Sequence, residues 1–183
     1  RGLGDVYKRQ DMSSPGLARA GRFKVPAWAK WPPMRVLPRE KAQREALVER
    51  WARLLLEWAS YTGETVVSAQ ELLRTPPFDV EPGLLEAVLK HLVKTGRARW
   101  RSDGVALLYW RSPEEWAGDI HRWLRANFIE VFSLLDLVEA GEPFSRLPLD
   151  ELRRCVGILE KAGLVRRVRG TRDFYKVVLP GVA

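Results

Sequence analysis

Apolar residues recur at helical spacing in four stretches of the chain. Residues 39–61 predict a long amphipathic helix that ends at Gly63, and residues 82–95 predict a second one, followed by Gly96 in the usual position of a C′ glycine. Residues 112–125 and 149–162 predict two more helices. The predicted core faces carry Ala46, Leu47, Trp51, Leu54, Leu55 and Trp58 in the first helix, Leu84, Leu85, Val88, Leu89 and Leu92 in the second, and Trp116, Ile120, Trp123 and Leu124 in the third.

Two pairs of short strands are predicted after the second and fourth helices, because each pair is interrupted by a polar turn that contains glycine. Two further segments, each placed before one of these helices, predict a short strand or turn and a short helix. The strand pairs are residues 97–101 with 105–110 and residues 164–169 with 173–179, and the two further segments are residues 66–74 and 131–140.

This order of elements occurs twice. Residues 92–96 (LVKTG) match residues 159–163 (LEKAG), and basic strands follow both. Three helices followed by a two-stranded ribbon form the winged-helix pattern. The predicted fold class is therefore α+β and helix-rich, with two tandem winged-helix domains at residues 39–111 and 112–183. A single continuous α+β domain is the alternative.

A complete set of helix-start signals favours the tandem interpretation, because it stands where the second domain would begin. Ser112 is the expected N-cap, Pro113 occupies the first helical position, and Glu115 closes a capping box.

The residues before the first domain differ in composition. Four prolines in residues 23–38 argue against a helix or a central strand and predict an extended, polyproline-like docking segment. Residues 1–22 predict a disordered leader. Residues 5–10 (DVYKRQ) resemble one reading frame of a transposase adapter used in sequencing libraries, so about residues 1–10 are expected to be an artefact of sequence assembly.

Charge is distributed unevenly along the 183 residues. The chain has 31 Lys and Arg against 23 Asp and Glu, a net charge of +8, which by itself suggests nucleic acid or an anionic membrane as a partner. However, residues 1–39 carry +7 of this charge and residues 40–183 only +1. The charge therefore belongs mainly to the leader and the docking segment, and it says little about what the two domains bind.

No pattern of catalytic or metal-binding residues is found. His91 and His121 lack a partner at ligand spacing, and the single cysteine, Cys155, excludes a disulfide or a CxxC site within the chain. Adjacent Glu114 and Glu115 suit a helix start better than a carboxylate pair. We therefore expect no enzyme, no cofactor and no metal, and an idle thiol at Cys155.

A nucleic-acid interface is the main alternative, because winged helices often read DNA with the third helix. Acidic residues begin both candidate recognition helices, at Glu81 and at Asp150 and Glu151, where they would repel phosphates. The basic second wing, which includes Arg166 and Arg169, argues the other way, although a solvated strand face explains it as well.

Tryptophan is the stronger signal for a protein partner. Most of the eight tryptophans are explained by core burial, whereas Trp28, Trp31 and Trp100 are candidate interface anchors. Trp28 and Trp31 lie in the proline-rich segment, where they could dock on their own domain or in a partner's groove.

Two strings of residues resemble a known family. Residues 107–116 (LLYWRSPEEW) resemble the signature that joins the two winged helices of the vacuolar protein-sorting-associated protein 25 family, the arm subunit of ESCRT-II, and residues 23–33 resemble its N-terminal motif, which ends in a Pro-Pro pair. The resemblance covers about residues 23–179. In the family aromatic residues follow this pair, whereas here Met34 and Arg35 do.

The resemblance implies a non-enzymatic scaffold in multivesicular body sorting of ubiquitinated cargo, located in the cytoplasm and peripherally on the endosomal membrane. It implies that the N-terminal segment and first winged helix bind the two larger ESCRT-II subunits, in a complex with two copies of this chain, and that the second winged helix recruits and activates the first ESCRT-III subunit. No nucleic acid is expected; a tandem winged-helix DNA-binding regulator remains the alternative. The predicted docking residues are Trp28, Trp31, Pro32, Pro33 and Met34, with Arg35 at the rim.

Overall fold

A computed structural model describes residues 23–181 of the chain. The predicted leader, residues 1–22, with its adapter-like residues 5–10, lies outside the described residues. The chain divides into two compact units between Trp110 and Arg111. Each unit is described by itself below.

The first unit contains a three-stranded antiparallel sheet with the strand order β1-β3-β2. Val67 pairs with Ala106 in this sheet, and Arg99 pairs with Leu107. The elements are α1 (Ala27–Lys30), a 3-10 helix (Pro32–Arg35), α2 (Lys41–Thr62), β1 (Val66–Ser68), α3 (Ala69–Leu72), α4 (Pro82–Lys94), β2 (Ala98–Ser102) and β3 (Val105–Leu108).

The core of the first unit lies between α2, α4 and the sheet. All five predicted core residues of α4 are buried, as are five of the six predicted for α2. The exception is Ala46, which is exposed because its place on the inner face is taken by the neighbouring Leu47 and Val48. Trp51 and Trp58 both pack edge-to-face against Phe78 in the centre of this core.

The second unit repeats the topology, with the strand order β4-β6-β5. Phe132 pairs with Tyr175 across this sheet, and their buried rings stack with centroids 5.6 Å apart. Trp123 is only half-buried, in contrast to its predicted core position, and packs edge-to-face on Phe144. The elements are α5 (Pro113–Ala126), β4 (Val131–Ser133), α6 (Leu134–Glu139), a second 3-10 helix (Pro143–Arg146), α7 (Leu149–Lys161), β5 (Val165–Arg167) and β6 (Phe174–Val177).

Local signals define the ends of the helices. The predicted capping box is present: the backbone N–H of Glu115 donates to Ser112 Oγ over 3.1 Å, and the N–H of Ser112 donates to the Glu115 carboxylate over 2.8 Å. Gly63 and Gly96 follow α2 and α4 with φ of 78° and 74°, a left-handed conformation that glycine adopts without a Cβ penalty.

Phe128 occupies the equivalent position after α5. It is the one described residue other than glycine with a positive φ, at 54°. The N–H of the next residue, Ile129, donates to the carbonyl oxygen of Leu124, which completes the usual hydrogen-bonded helix end. The ring of Phe128 is 91% exposed, so the strained backbone is not explained by burial of its side chain.

The proline-rich segment is not extended as predicted. Pro26 directly precedes α1, and Pro32 is the first residue of the 3-10 helix. Helical turns form here because a proline is tolerated at the first turn of a helix, where its missing N–H would have no partner. Two short helical turns, separated by Trp31, therefore replace the predicted polyproline-like stretch.

Among residues 23–181, every helix is too short or too polar to cross a lipid bilayer.

Candidate partner-binding site

Residues 23–38 belong to the first unit and pack on the rest of it from both ends of the segment, through Phe23, Val25, Trp28, Met34 and Leu37. Ala29 in α1 is completely buried. Trp28 packs edge-to-face on Trp51 of α2, with ring centroids 5.1 Å apart, and the guanidinium of Arg50 lies 4.7 Å from the centre of the Trp28 ring. Trp28 is therefore half-buried, and much of its ring contacts the chain's own domain.

A hydrogen bond ties the 3-10 helix to α2. The indole Nε1 of Trp51 donates to the carbonyl oxygen of Met34 over 2.7 Å. The Met34 side chain is half-buried and packs against the core of the first unit. Trp51, which is 2% exposed, thus contacts the segment both through its ring and through its ring nitrogen.

Arg35 anchors the segment through several hydrogen bonds. Its guanidinium donates to the carbonyl oxygens of Ala29 and Asp79, both over 2.7 Å, and to the carboxylate Oδ1 of Asp79 over the same distance. Its side chain is only 22% exposed. Although the sequence predicts Arg35 at the rim of a partner contact, its mostly buried side chain joins α1 to the residues that precede α4.

Backbone groups reinforce this connection. The N–H of Leu37 donates to the Glu81 carboxylate over 2.7 Å, and the N–H of Glu81 donates to the carbonyl oxygen of Arg35 over 3.0 Å. Sequence reasoning missed Asp79 and Glu81 as partners, because they lie 44 residues beyond Arg35 and Leu37 and no local pattern links them. The only signal in the sequence was that Asp79 and Glu81 are acidic whereas residues 23–38 are basic.

The tip of the segment is exposed. Trp31 separates α1 from the 3-10 helix and is 60% exposed, and Pro32 and Pro33 are exposed beside it. Of the five predicted docking residues, the structure thus brings Trp31, Pro32 and Pro33 together at the surface and places Trp28 and Met34 beneath them, against the core. We call Trp31, Pro32 and Pro33 the exposed tip.

The third tryptophan considered as an anchor lies elsewhere in the first unit. Trp100 on β2 is 38% exposed and lines a groove of about 660 Å³. Leu73, Leu85, Leu89 and Gly104 are among the other residues that line this groove.

One acidic residue of the predicted recognition helices does not face solvent. Glu151 in the first turn of α7 is 3% exposed, contrary to the expectation that it would repel phosphates. Its burial follows from its position on the inner face of α7, next to buried Leu152. Asp150 remains exposed at this helix start, and Glu81 at the start of α4 is engaged with Leu37.

The environments of the cysteine and the two histidines explain them as parts of the fold. Cys155 is buried, which raises the pKa of its thiol to about 12, with nearby Glu151 as a further cause. His91 contacts the Glu49 carboxylate, whereas Nε2 of His121 has no hydrogen-bond partner among the described residues. Within residues 23–181 no three of the side chains that bind metals come together.

Comparison with known proteins places this geometry in a family. The sequence model of the ESCRT-II complex subunit family matches residues 29–143. The Xenopus laevis vacuolar protein-sorting-associated protein 25 is 25% identical over 154 residues, covering 76% of this chain and 88% of the relative. The Arabidopsis thaliana protein of the same name is 24% identical over 162 residues, covering 81% and 90%.

Solved structures agree in fold. The crystal structure of subunit VPS25 of the endosomal trafficking complex ESCRT-II superposes with a TM-score of 0.66 at 15% identity, covering 84% of this chain and 98% of that subunit. A chain of the endosomal complex ESCRT-II (VPS22/VPS25/VPS36) gives a TM-score of 0.64 at 16% identity with the same coverage. The helix-rich α+β fold predicted from the sequence is confirmed by this match.

The family model spans more than half of the chain, including the exposed tip and the capping box at Ser112. The resemblance inferred from residues 23–33 and 107–116 is thereby confirmed, and the chain belongs to the ESCRT-II complex subunit family, that of vacuolar protein-sorting-associated protein 25.

Proposed function

We propose that the chain is a non-enzymatic scaffold that binds the two larger ESCRT-II subunits through its N-terminal segment and first unit. In the structure of the endosomal complex, VPS25 is present together with VPS22 and VPS36, and the relatives of those two proteins are the partners proposed here. The observation that carries the proposal is the exposed tip. Trp31, Pro32 and Pro33 present apolar surface on a segment that is anchored on both sides.

The anchoring separates two roles within the segment. Trp28, Met34 and Arg35 fasten it to the first unit, whereas Trp31 and the two prolines face outward. Tryptophan is enriched among residues that dominate binding energy at protein interfaces, and exposed prolines lose little conformational entropy on binding. We therefore expect the partner to bury Trp31 and to contact Trp28 and Met34 at the margin.

Co-expression with the two larger subunits tests this assignment. The wild-type chain should co-purify with both, and the size of the product should correspond to two copies of this chain for each larger subunit pair. The variant Trp31→Ala with Pro32→Ala should lose co-purification by at least about tenfold, since truncation of a central tryptophan costs about 2 kcal/mol or more. Its melting temperature should stay unchanged.

Trp28→Ala serves as the matched comparison. It removes a ring that packs on Trp51, so it should lower the melting temperature. If Trp31→Ala with Pro32→Ala lowers the melting temperature and leaves co-purification intact, the tip is a structural element and the assignment is wrong.

We extend the proposal to the second unit, which begins at Arg111, as the domain that recruits and activates the first ESCRT-III subunit in multivesicular body sorting at the endosome. Exposed Leu135 and Val138 on α6 support it, because three positions apart on a helix they share one face. Leu135→Ser with Val138→Ser should abolish binding of the isolated ESCRT-III subunit while co-purification with the larger ESCRT-II subunits persists. Unchanged binding would assign the contact to another face.

The alternative, a DNA-binding regulator, is tested with the same protein. Binding to random duplex DNA that weakens steeply with salt, together with no co-purification with the larger ESCRT-II subunits, would favour it.

A further inference from the structure

The outer face of the sheet in the second unit is formed by every second residue of its strands and by Leu164 and Val178, which directly adjoin β5 and β6. Phe132, Tyr175, Val165 and Val177 point inward and are buried. Their neighbours along the strands point outward, as the two-residue period of a strand requires. This outer face, as we use the term, consists of Val131, Leu164, Arg166, Phe174, Lys176 and Val178, all of which are exposed.

Two cations lie directly opposite each other at its centre. Arg166 on β5 pairs with Lys176 on β6, and Val131 pairs with Lys176 from the other side. Like charges at directly opposed positions destabilise an antiparallel pair. Neither side chain forms an ion pair with any of residues 23–181, so the described part of the chain does not relieve this repulsion.

Two acidic side chains near the hairpin, Asp173 and Glu160, are engaged with residues outside the outer face. Asp173 accepts from Arg153 at 3.3 Å, and Glu160 lies 3.9 Å from Arg167, whose guanidinium also lies over the Tyr175 ring. The turn between β5 and β6 adds exposed Arg169 and Arg172, for which no ion pair is found in the described range either. The surface is therefore positive at its centre and along its turn.

Apolar side chains flank these charges. Val131 is 54% exposed and Phe174 48% exposed. At the opposite end of the hairpin the N–H of Val178 donates to the carbonyl oxygen of Leu164 over 2.9 Å, which places these two exposed aliphatic residues next to each other. The face therefore combines basic and apolar side chains. It matches a partner with negative groups at its surface and an apolar region directly beneath them.

We propose that this outer face contacts an anionic lipid surface. Arg166, Lys176 and the arginines of the turn meet the phosphate and carboxylate groups of the lipid heads, while Phe174 and Val131 enter the boundary between headgroups and acyl chains. Duplex DNA offers phosphates but no apolar layer for Phe174 and Val131, so it fits the face less well. The contact does not depend on the proposed binding of other ESCRT subunits, and the chain alone suffices to test it.

Co-sedimentation of the full chain with vesicles measures the contact. The chain should bind phosphatidylcholine vesicles that contain phosphatidylserine, and bind them more weakly as salt is added. Each basic residue close to an anionic membrane strengthens binding about fivefold. Arg166→Gln with Lys176→Gln should therefore reduce binding by about tenfold or more. Removing the opposed charges should also leave the melting temperature equal or higher, which excludes unfolding as the cause.

A variant of matched net charge shows whether vesicle binding comes from the outer face or from the basic residues before the first domain. Arg74→Gln with Lys94→Gln removes two exposed positive charges from the first unit and leaves the chain with the same net charge as the test variant. It should change vesicle binding by less than about twofold, because neither residue is on the outer face. Equal binding by the two double variants would overturn the proposal.

The apolar part of the contact is tested separately. Phe174→Ser should abolish the binding that remains at high salt, whereas Leu149→Ser, at the exposed first residue of α7, should not. If instead the Arg166 and Lys176 variant binds vesicles normally and loses binding to duplex DNA or to polyglutamate, the face recognises a nucleic acid or an acidic protein and the lipid assignment is wrong.

Discussion

Trp51 and Met34 are joined by a hydrogen bond of 2.7 Å from a buried indole nitrogen to a backbone oxygen. Trp51→Phe keeps an aromatic ring against Trp28 and Phe78 but leaves the Met34 carbonyl without its donor. We expect the free energy of unfolding to fall by about 1–3 kcal/mol, the cost of an unsatisfied buried polar group plus the smaller ring. Urea unfolding followed by far-UV circular dichroism measures it, and Trp31→Phe, at the exposed tip, should leave the midpoint unchanged.

Arg35 should hold the segment in place more by its hydrogen bonds than by its charge. The ion pair with Asp79 is 46% exposed on the carboxylate side, so the pair itself is expected to contribute less than about 1 kcal/mol. Arg35→Gln should therefore increase amide hydrogen exchange in residues 27–37 strongly, whereas Asp79→Asn should increase it only slightly. Equal protection in Arg35→Gln and the wild type would contradict this order.

The Glu49 carboxylate should make the first unit sensitive to acid. Hydrogen bonds from Arg97 and then His91 lower its pKa well below the ordinary range, although partial burial opposes them. A carboxyl group whose pKa is lower in the folded than in the unfolded state stabilises the fold above its unfolded pKa of about 4.3, and this contribution disappears as the pH falls through the folded pKa.

Glu49→Gln should thus cost about 2 kcal/mol at neutral pH and progressively less below pH of about 4. Thermal unfolding across this range measures the difference. Glu57→Gln, an exposed position on the same helix, is the matched control. A cost for Glu49→Gln that stayed constant down to low pH would mean that the ion pairs do not contribute to stability.

Phe128 should be replaceable by glycine with a gain in stability. Its φ of 54° strains a residue that has a Cβ, and its ring, which is 91% exposed, packs little. We expect Phe128→Gly to raise the free energy of unfolding by about 0.5–1 kcal/mol. The adjacent Asn127→Gly should instead lower it, because Asn127 has a negative φ and its side-chain amide donates to the Trp123 carbonyl. A loss of stability in Phe128→Gly would show that its ring contributes to the fold.

Short-range signals predicted helix boundaries well. Gly63 and Gly96 end their helices, and Ser112 with Glu115 begins another, because these interactions span only a few residues. Phe128 was missed at the equivalent position, since the sequence pattern favours glycine there and a strained phenylalanine has no sequence signal. The short helices at Ala27 and Pro32 were not predictable from the proline count alone, because proline disfavours a helix interior but is tolerated in a first turn.

The candidate site was predictable only in outline. The exposure of Trp31 and the prolines fits the interpretation of the segment as a docking element. The sequence did not show that Trp28 packs on its own unit while Trp31 is exposed, because this difference depends on Trp51 and Arg50 in another helix. The opposed pair of Arg166 and Lys176 likewise required the register of the sheet.

Because Arg35 is hydrogen-bonded to Ala29 and Asp79, the segment that carries Trp31 is already ordered before a partner binds. A peptide that is free in solution must give up its internal freedom when it is bound, and this loss weakens association. In this chain most of that conformational entropy is lost when the first unit folds, before any partner binds. A complex formed at the tip should consequently associate with little structural adjustment, and its lifetime should depend on how completely the partner encloses a single indole ring.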